Sequence, residues 1–226
     1  MTNQHQPADF AARTARILFE IKAVMFNAEK PFIFTSGAAS PVYIDCRKLI
    51  SFPRARRAVI GMMTQQVYDQ AGHECFDAVA GGETAGISYA AWLSDSMDLP
   101  MLYVRKQPKG FGRMAQIEGD LQEGQRVLLV EDLASQGTSK VKFVEALRQA
   151  GAIVEHVAVV FHYGIFAQSD TTMEQLNVKL HALCTWWDAL AVAKQQNYFS
   201  TGTLSEVEKF LHAPDAWSAA HGGKAA

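Results

Sequence analysis

Apolar residues recur along the first third of the chain at two different spacings. Over residues 8–27, and again over residues 54–71, they recur at three- and four-residue steps, which predicts two amphipathic helices, the second ending near Gly72. Between these helices, residues 30–49 alternate short apolar and aromatic runs with Ser, Gly and Pro, which predicts short strands and a turn. The chain is therefore expected to begin with a helix, a β-rich lobe and a second helix.

Beyond this lobe, short apolar runs alternate with helical patterns. The runs predict strands at residues 76–81, 100–106, 126–132 and 153–161. Helical patterns follow the first run and the third, and Gly151 stops the second of these helices. The third run, RVLLVED, is almost continuously apolar, as expected of a central strand covered on both faces. Strand, helix and strand at this spacing imply a right-handed, parallel α/β sheet.

The C-terminal part is less regular. Residues 178–187 predict an edge strand or a buried segment, followed by a helix from Asp188. Thr203 and Glu206 form a capping-box pattern before a last short helix. A loose tail is predicted over about residues 219–226, which end in GGKAA.

Composition mainly excludes classes of protein. The 226 residues are 49% hydrophobic and 19% charged, which suffices for a full core in a single domain over residues 1–226 and excludes wholesale disorder. With 21 basic and 23 acidic residues, the net charge of −2 argues against a nucleic-acid binder. No apolar run reaches the roughly 18 residues of a membrane span, and the N-terminus lacks the apolar core of a signal peptide. Three well-separated cysteines without a CxxC pair favour a reduced, cytoplasmic location.

The strongest chemical signal is VLLVEDLASQGTS, at residues 127–139. An apolar strand ends in Glu131 and Asp132 and enters a turn of small residues, 134–139, that opens a helix. Ligands of open α/β sheets bind at the carboxyl ends of the strands, and a turn at a helix N-terminus presents N–H groups to phosphate. Two carboxylates would repel a bare phosphate. They suit a ligand whose hydroxyls or Mg²⁺ ion face them while the turn holds a phosphate, as ribose 5-phosphate would.

A second signal is a concentration of positive charge between residues 101 and 117. This segment carries no acid before Glu118, and its cations are Arg105, Lys106, Lys109 and Arg113. Its glycines, Gly110 and Gly112, make it flexible. A mobile cationic lid suits a reaction that expels a polyanion such as diphosphate, because it can neutralise the leaving charge and then open. A solvated basic loop is the alternative.

The segment at residues 127–139 resembles the phosphoribosyl-diphosphate (PRPP) binding motif of the type I phosphoribosyltransferases. Three further segments resemble the orotate-using branch of that family: FTSGAASPVYIDCRKL its substrate lobe, VAGGETAGISYA its diphosphate loop and YVRKQPKGFGRMAQIEG its catalytic loop. The resemblance implies the type I phosphoribosyltransferase fold, with a central parallel sheet flanked by helices and a small β-rich N-terminal hood lobe. Residues 28–50 would form the base-binding hood, and residues 76–161 the PRPP-binding core.

This resemblance also implies an activity. The chain is expected to be a pentosyltransferase that moves ribose 5-phosphate from PRPP to orotate, giving orotidine 5′-phosphate and diphosphate in the synthesis of UMP. Mg²⁺ would be carried on PRPP, near Glu131 and Asp132. The protein would be a homodimer in which the lid loop, residues 105–117, reaches the neighbouring active site.

The roles of individual residues follow from the resemblance. Catalysis is assigned to Lys109, Asp132 and Glu131. PRPP binding is assigned to Arg105, Lys106, Lys109, Glu131, Asp132, Leu133, Ala134, Ser135, Gln136, Gly137, Thr138 and Ser139. The diphosphate loop would be Gly81, Gly82, Glu83 and Thr84, and orotate would meet Ser135, Lys30, Tyr43 and Ile44. By themselves, Lys30 also fits a surface lysine ending the first helix, Tyr43 fits core packing, and residues 81–86 fit an ordinary turn.

The chain departs from the family pattern at two places that concern the base and the lid. Phe111 stands where the family usually has a histidine, and His162 and Tyr163 lie near the place of an arginine that meets the orotate carboxylate in many members. Two alternatives therefore stay open. One is a phosphoribosyltransferase for another nucleobase, and the other is a PRPP-sensing regulatory module without catalysis.

Overall fold

A computed structural model of the chain describes residues 9–110 and 116–224. It divides into two compact units, residues 46–183 and the described parts of residues 1–45 and 184–226. The strands are β1 (Val24–Phe26), β2 (Phe32–Ile33), β3 (Ala39–Ser40), β4 (Val42–Ile44), β5 (Ala78–Gly82), β6 (Met101–Val104), β7 (Ile117–Glu118), β8 (Arg126–Ala134), β9 (Ile153–His162) and β10 (Lys179–Thr185). The α-helices are α1 (Phe10–Glu20), α2 (Pro53–Ala71), α3 (Ala85–Met97), α4 (Thr138–Gln149), α5 (Ala167–Gln175), α6 (Trp186–Gln196), α7 (Thr201–His212) and α8 (Pro214–Ala220), and a 3-10 helix spans Cys46–Ser51. In the described ranges, none of these helices is both long and apolar enough to cross a membrane.

The unit of residues 46–183 is built on a six-stranded sheet in the order β10-β9-β8-β5-β6-β7. The pairs β5/β6, β5/β8 and β8/β9 are parallel, and β7 runs antiparallel to β6. The predicted parallel α/β sheet is confirmed, with the RVLLVED strand in the interior and β10 at the edge. The short β7 was not predicted, since two residues are too few for a periodic signal.

Helices cover both faces of this sheet. Val127 and Leu129 of β8 share a core with Val144 and Leu147 of α4. Because successive side chains of a strand point to opposite faces, Leu128 and Val130 face the other side, where α3 packs against β5 and β8. Both layers exclude water from β8, which explains its unbroken apolar run.

An ion pair sets β5 beside β8 at their amino ends. The guanidinium of Arg126 donates to both carboxylate oxygens of Asp77, over 3.0 Å from Nε and 2.6 Å from Nη2. These contacts hold the pKa of Asp77 well below its usual range, at about 2. The pair is exposed, so its contribution is to geometry more than to stability. It joins the amino ends of the two strands that lead to the site.

The other unit contains the β-rich hood elements and the terminal helices. The predicted helix over residues 8–27 is too long: α1 ends at Glu20, and Val24–Phe26 instead form β1, paired antiparallel with β4. Lys22 adopts a left-handed conformation, with φ of 55°, which interrupts the helix. Apolar residues continue at helical spacing beyond this break, which is why periodicity alone extended the helix.

The C-terminal helices differ from the prediction in their caps. α6 begins at Trp186, two residues before the predicted start, and Asp188 belongs to its capping box with Thr185. The capping box predicted at Thr203 and Glu206 is wrong, because Ser200 caps α7 by accepting from the Thr203 N–H over 3.1 Å. Helices α5 and α8 were not predicted. A loose tail was predicted from about residue 219, but α8 runs to Ala220 and the Lys224 N–H donates to the Gly37 carbonyl over 2.9 Å.

Candidate active site

The topology of the sheet predicts a ligand-binding crevice between β5 and β8. The chain leaves β5 through α3 towards β6 on one side, and leaves β8 through α4 towards β9 on the other. Neighbouring strands whose connections diverge leave a crevice at their carboxyl ends, where open α/β sheets bind ligands. Glu131 and Asp132 lie at this end of β8, and Gly82 ends β5. The structure therefore brings the acidic pair and the predicted diphosphate loop together at this crevice.

The Glu131 side chain lies in a niche formed by glycines. A Cβ atom on Gly82 would lie 1.8 Å from Glu131 Oε1 and 2.4 Å from a ring carbon of Phe143, and one on Gly86 would lie 2.9 Å from the same oxygen. Glu131 is only 7% exposed, and its Oε1 has no hydrogen-bond partner among the described residues. A buried acceptor without a partner is unfavourable unless a ligand satisfies it.

Burial dominates the electrostatics of this acidic pair. It raises the pKa of Glu131 to about 7 and raises the pKa of Asp132, which is 9% exposed. The positive charge of Lys140 opposes the rise at both carboxyls, and Lys106 opposes it at Glu131. Asp132 also accepts a hydrogen bond from the Leu133 N–H over 2.9 Å. Such shifted carboxyls in a crevice are typical of functional sites.

The turn after this pair is shorter than predicted. Ala134 belongs to β8, so the turn consists of Ser135, Gln136 and Gly137, and α4 begins at Thr138. Gly137 caps the helix with φ of 84°, a conformation that favours glycine. The Thr172 hydroxyl approaches the Gln136 carbonyl at 3.4 Å. The turn opens a helix N-terminus beside the carboxylates, which is the arrangement expected of a phosphate site; the side chains of Thr138 and Ser139 are not described.

The predicted diphosphate loop follows β5. Gly81 and Gly82 lie in the strand, Glu83 and Thr84 form the turn, and their shared peptide bond is cis. A Cβ on Gly81 would lie 2.3 Å from the Gly86 carbonyl oxygen, so the strand and helix approach closely here. The Glu83 carboxylate accepts from the Lys106 N–H over 2.8 Å. This bond joins the loop to the start of the cationic segment.

The cationic segment is anchored at its base. Arg105 exchanges a backbone and a side-chain hydrogen bond with Gln116, and its guanidinium pairs with Glu118 at 3.2 Å. Lys106 and Lys109 are exposed. Phe111 and Arg113 lie outside the described residues. The diphosphate-binding role of Arg105, Lys106 and Lys109 stays a prediction, with Arg105 the most restrained of the three.

His162 and Tyr163 lie beside the turn, at the carboxyl end of β9. His162 is opposite Ala134 in the strand register, and Tyr163 N–H donates to the Ala134 carbonyl over 2.8 Å. His162 Nε2 is 2.9 Å from the hydroxyl of the buried Ser169, and burial lowers the pKa of His162. Both residues therefore lie at the end of β9, next to the end of β8 that Ser135 follows. The sequence predicts them near the base-binding part of the site.

Lys30, Tyr43 and Ile44 belong to the unit that contains the hood elements. Lys30 is exposed, and because α1 ends at Glu20 it does not end the first helix. The Tyr43 ring lies 5.4 Å from that of Phe32, and Ile44 is buried. The role of these three residues in base binding stays a prediction.

Sequence reasoning missed Lys140, in the first turn of α4. It is 3% exposed and donates from Nζ to the Leu133 carbonyl. A signal was present, because Lys140 precedes Phe143, Val144 and Leu147 by three, four and seven residues and so shares their apolar helix face. A lysine there is a buried charge that needs an explanation.

Gly82→Ala is expected to destabilise the fold by about 1–3 kcal/mol, because the added methyl overlaps Glu131 and Phe143. Gly61→Ala is the matched control. Gly61 is exposed in α2, and its Cβ would meet nothing within 4 Å, so alanine should stabilise that helix by about 0.5–1 kcal/mol. Urea unfolding of both variants measures the difference. Equal stability of the two variants would show that the niche does not constrain residue 82.

The residues present suit a metal ion that arrives with a ligand. In the described part of the chain, no group of three or more His, Cys, Asp or Glu side chains is placed to hold a metal. Glu131 nevertheless offers a buried oxygen without a partner. Mg²⁺ is typically held by one or two carboxylates together with substrate phosphates. The acidic pair therefore fits an ion carried on a phosphorylated substrate.

A family model and curated relatives match this chain. Residues 53–181 match the family model described as the phosphoribosyl transferase domain. Two curated relatives, from Roseobacter denitrificans and Allorhizobium ampelinum, are named orotate phosphoribosyltransferase. The first is 56% identical and the match covers 94% of this chain and 95% of the relative; the second is 53% identical over 98% and 96%.

A solved structure extends the likeness to three dimensions. The orotate phosphoribosyltransferase from Aeropyrum pernix matches with a TM-score of 0.68 and 30% identity, over 82% of this chain and 99% of that one. The expected type I phosphoribosyltransferase fold is confirmed. On its sequence, its fold and the extent of these matches, the chain belongs to the phosphoribosyltransferase family, among the orotate phosphoribosyltransferases.

Proposed function

We propose that the protein catalyses Mg²⁺-dependent transfer of ribose 5-phosphate from PRPP to orotate, giving orotidine 5′-phosphate and diphosphate for UMP synthesis. The observation that carries the proposal is the buried, partly unsatisfied acidic pair next to a helix N-terminus at the β5/β8 crevice. A phosphorylated sugar offers what this arrangement lacks, since its hydroxyls donate to carboxylates and its phosphate accepts from backbone N–H groups. The names of the relatives specify orotate as the acceptor.

In this proposal the parts of the site have separate tasks. Glu131 and Asp132 accept from the ribose hydroxyls, directly or through the ion, and residues 135–139 hold the 5-phosphate. The glycines of β5 let backbone N–H groups approach the diphosphate. Mg²⁺ on PRPP would neutralise diphosphate charge. Lys30, Tyr43, Ile44 and the Ser135 hydroxyl would meet the base.

Catalysis would rest on positioning and charge. The orotate ring nitrogen attacks C1 of the ribose as the bond to diphosphate breaks, so positive charge develops on the sugar and negative charge on the leaving group. The carboxylates stabilise the first, and the cations of the lid stabilise the second. No covalent intermediate with the enzyme is needed. A homodimer, in which each lid closes over its neighbour's site, and a cytoplasmic location are part of the same proposal.

The test is the absorbance of orotate after mixing purified protein with orotate, PRPP and Mg²⁺. We expect absorbance to fall and diphosphate to appear in equal amount, and we expect EDTA to stop both. Loss of orotate that continues in EDTA would contradict the role of Mg²⁺. Turnover of a purine base in place of orotate would favour the alternative of a phosphoribosyltransferase for another nucleobase. That alternative is motivated by His162, which pairs with Ser169 near the place where many family members have an arginine. PRPP binding without turnover of any base would favour the sensing module.

A further inference from the structure

The first turn of α4 carries a buried cation directly behind the predicted phosphate-binding turn. Lys140 is 3% exposed, and its Nζ donates to the carbonyl of Leu133, the residue between Asp132 and Ala134. The lysine therefore bridges the base of α4 to the last residues of β8. This contact closes the chain segment that contains the turn, directly after the acidic pair.

The charge of Lys140 acts on both carboxylates of the site. It opposes the effect of burial on the pKa of Glu131 and on that of Asp132. Burial lowers the pKa of Lys140 itself, and both carboxylates oppose that lowering. Three other charged or titratable groups surround this cluster: Lys106 acts on Glu131, Arg47 acts on Asp132, and His162 is influenced by Lys140. Arg47 and Lys106 are exposed, so their charges are screened by water.

Removing this one cation would leave two acidic groups buried next to an incoming polyanion. Buried carboxylates without a compensating charge move towards water, and this movement takes them away from the ribose hydroxyls. The hydrogen bond from Nζ goes to the backbone carbonyl of Leu133, next to Asp132. Its position suits a residue that acts through its neighbours.

We propose that Lys140 is a positioning residue for PRPP. It holds the Leu133 carbonyl and places a positive charge behind Glu131 and Asp132, so that both carboxylates are set for the ribose hydroxyls before the substrate arrives. This inference rests on the proposed function, because it assigns PRPP to the β5/β8 crevice. It goes beyond that proposal by adding a residue that acts through the Leu133 carbonyl and the acidic pair.

The experiment compares Lys140→Met with the wild type. Methionine keeps much of the apolar volume of lysine and removes the charge and the donor. We expect the affinity for PRPP with Mg²⁺, measured by calorimetry without orotate, to fall about 10- to 100-fold. We expect the KM for PRPP to rise in parallel, and the KM for orotate to change less than about twofold. The control is Lys142→Met, which removes an exposed lysine from the same helix and should leave both KM values unchanged.

A double-variant cycle separates positioning from a merely structural role. If Lys140 acts through the acidic pair, Lys140→Met should weaken PRPP binding much less in a Glu131→Gln background than in the wild type. Circular dichroism and urea unfolding monitor the fold of each variant. Should Lys140→Met alone fail to fold, the double variant, in which Asp132 is the one of these three buried groups left charged, is compared with Glu131→Gln. A loss of PRPP affinity of about 10-fold or more between these two variants would overturn the positioning role.

The outcomes are distinguishable from those that test the proposed function. Unchanged PRPP affinity in folded Lys140→Met, or an equal loss in both backgrounds, would overturn the positioning role. Lack of orotate turnover by wild-type protein that still binds PRPP would contradict the choice of base, and the PRPP affinities would still decide the role of Lys140. A wild-type protein that does not bind PRPP would overturn both.

Discussion

Replacing Lys109 by alanine is expected to lower kcat about 10²- to 10³-fold, with a smaller effect on the KM for orotate. Lys109 is exposed beside Gly110 in the segment that joins β6 and β7, whose base is held by Arg105 and Gln116. A cation on such a lid meets the most negative charge as diphosphate leaves. Its loss should therefore appear in kcat. Steady-state kinetics with saturating PRPP and Mg²⁺ measure it.

The matched control for this variant is Gln107→Ala, which alters an exposed neutral residue of the same segment and should leave kcat unchanged. An unchanged kcat in Lys109→Ala would remove this residue from the chemical step.

The variant also tests the shared site of the proposed homodimer. The proposed role of Asp132 predicts that Asp132→Asn is inactive. Mixed with it in equal amounts and allowed to exchange subunits, Lys109→Ala should recover about a quarter of wild-type activity, because half of the dimers are then hybrids and each hybrid contains one intact site of two. No recovery after verified subunit exchange would place the lid over its own subunit's site.

Glu131→Gln is expected to lower activity about 10- to 100-fold and, at the same time, to stabilise the fold near pH 8. The activity falls because glutamine replaces a charged acceptor of the ribose hydroxyl by a neutral one. The stability rises because the wild-type carboxyl is buried, and its Oε1 is without a partner among the described residues. A substitution that lowers activity and raises stability is typical of a residue that evolution retains for function at a cost in stability.

The pH dependence of this effect follows from the direction of the pKa shift. Burial raises the pKa of Glu131 from an ordinary value of 4.5 to about 7 in the folded protein. Between these two values the unfolded chain has lost the proton and the folded chain still binds it, so the free energy of unfolding of the wild type decreases as pH rises through this window. Glutamine cannot titrate. Glu131→Gln should therefore match the wild type near pH 4.5 and exceed it by about 1–3 kcal/mol near pH 8.

Urea unfolding of the substrate-free protein at several pH values measures this difference. Glu145→Gln is the control, since it removes an exposed carboxylate from α4 and should give no pH-dependent difference of this size. A constant offset between wild type and Glu131→Gln across the pH range would contradict the raised pKa. Retained full activity in Glu131→Gln would contradict its proposed contact with ribose.

The elements best predicted from sequence were those with long, regular signals. The α2 helix, with proline at its start and Gly72 at its end, and the four strands of the parallel sheet lie where the pattern indicated. Boundaries failed where a local conformation overrode periodicity, as at Lys22, whose left-handed backbone ends the helical region before β1. Short elements such as β7 were missed because two residues form a strand only when a neighbouring strand supplies their hydrogen-bond partners.

Within the candidate site, sequence located the acidic pair, the glycines and the small-residue turn, because these residue types are unusual at the end of an apolar strand. It placed Ala134 in the turn, whereas β8 pairs with β9 as far as Ala134 and His162. It also treated residues 81–86 as one turn, although Gly81 and Gly82 are strand residues whose lack of a Cβ makes room for Gly86 and Glu131. The glycines at positions 82 and 86 are needed because Glu131 packs against them, although it lies 49 and 45 residues further along the chain. No local sequence pattern contains such a contact.

The sequence by itself determined the α/β class, the position of the acidic pair at the end of a central strand and the resemblance that relatives at 53–56% identity confirm. Such features depend on residue type and local spacing, which the chain displays directly. Only the tertiary structure decided that Glu131 is buried against Gly82, and that Lys140 is buried with its charge acting on Glu131. Burial and charge–charge proximity arise when distant segments pack, and they determine the pKa values and hydrogen bonds on which the chemistry of the site depends.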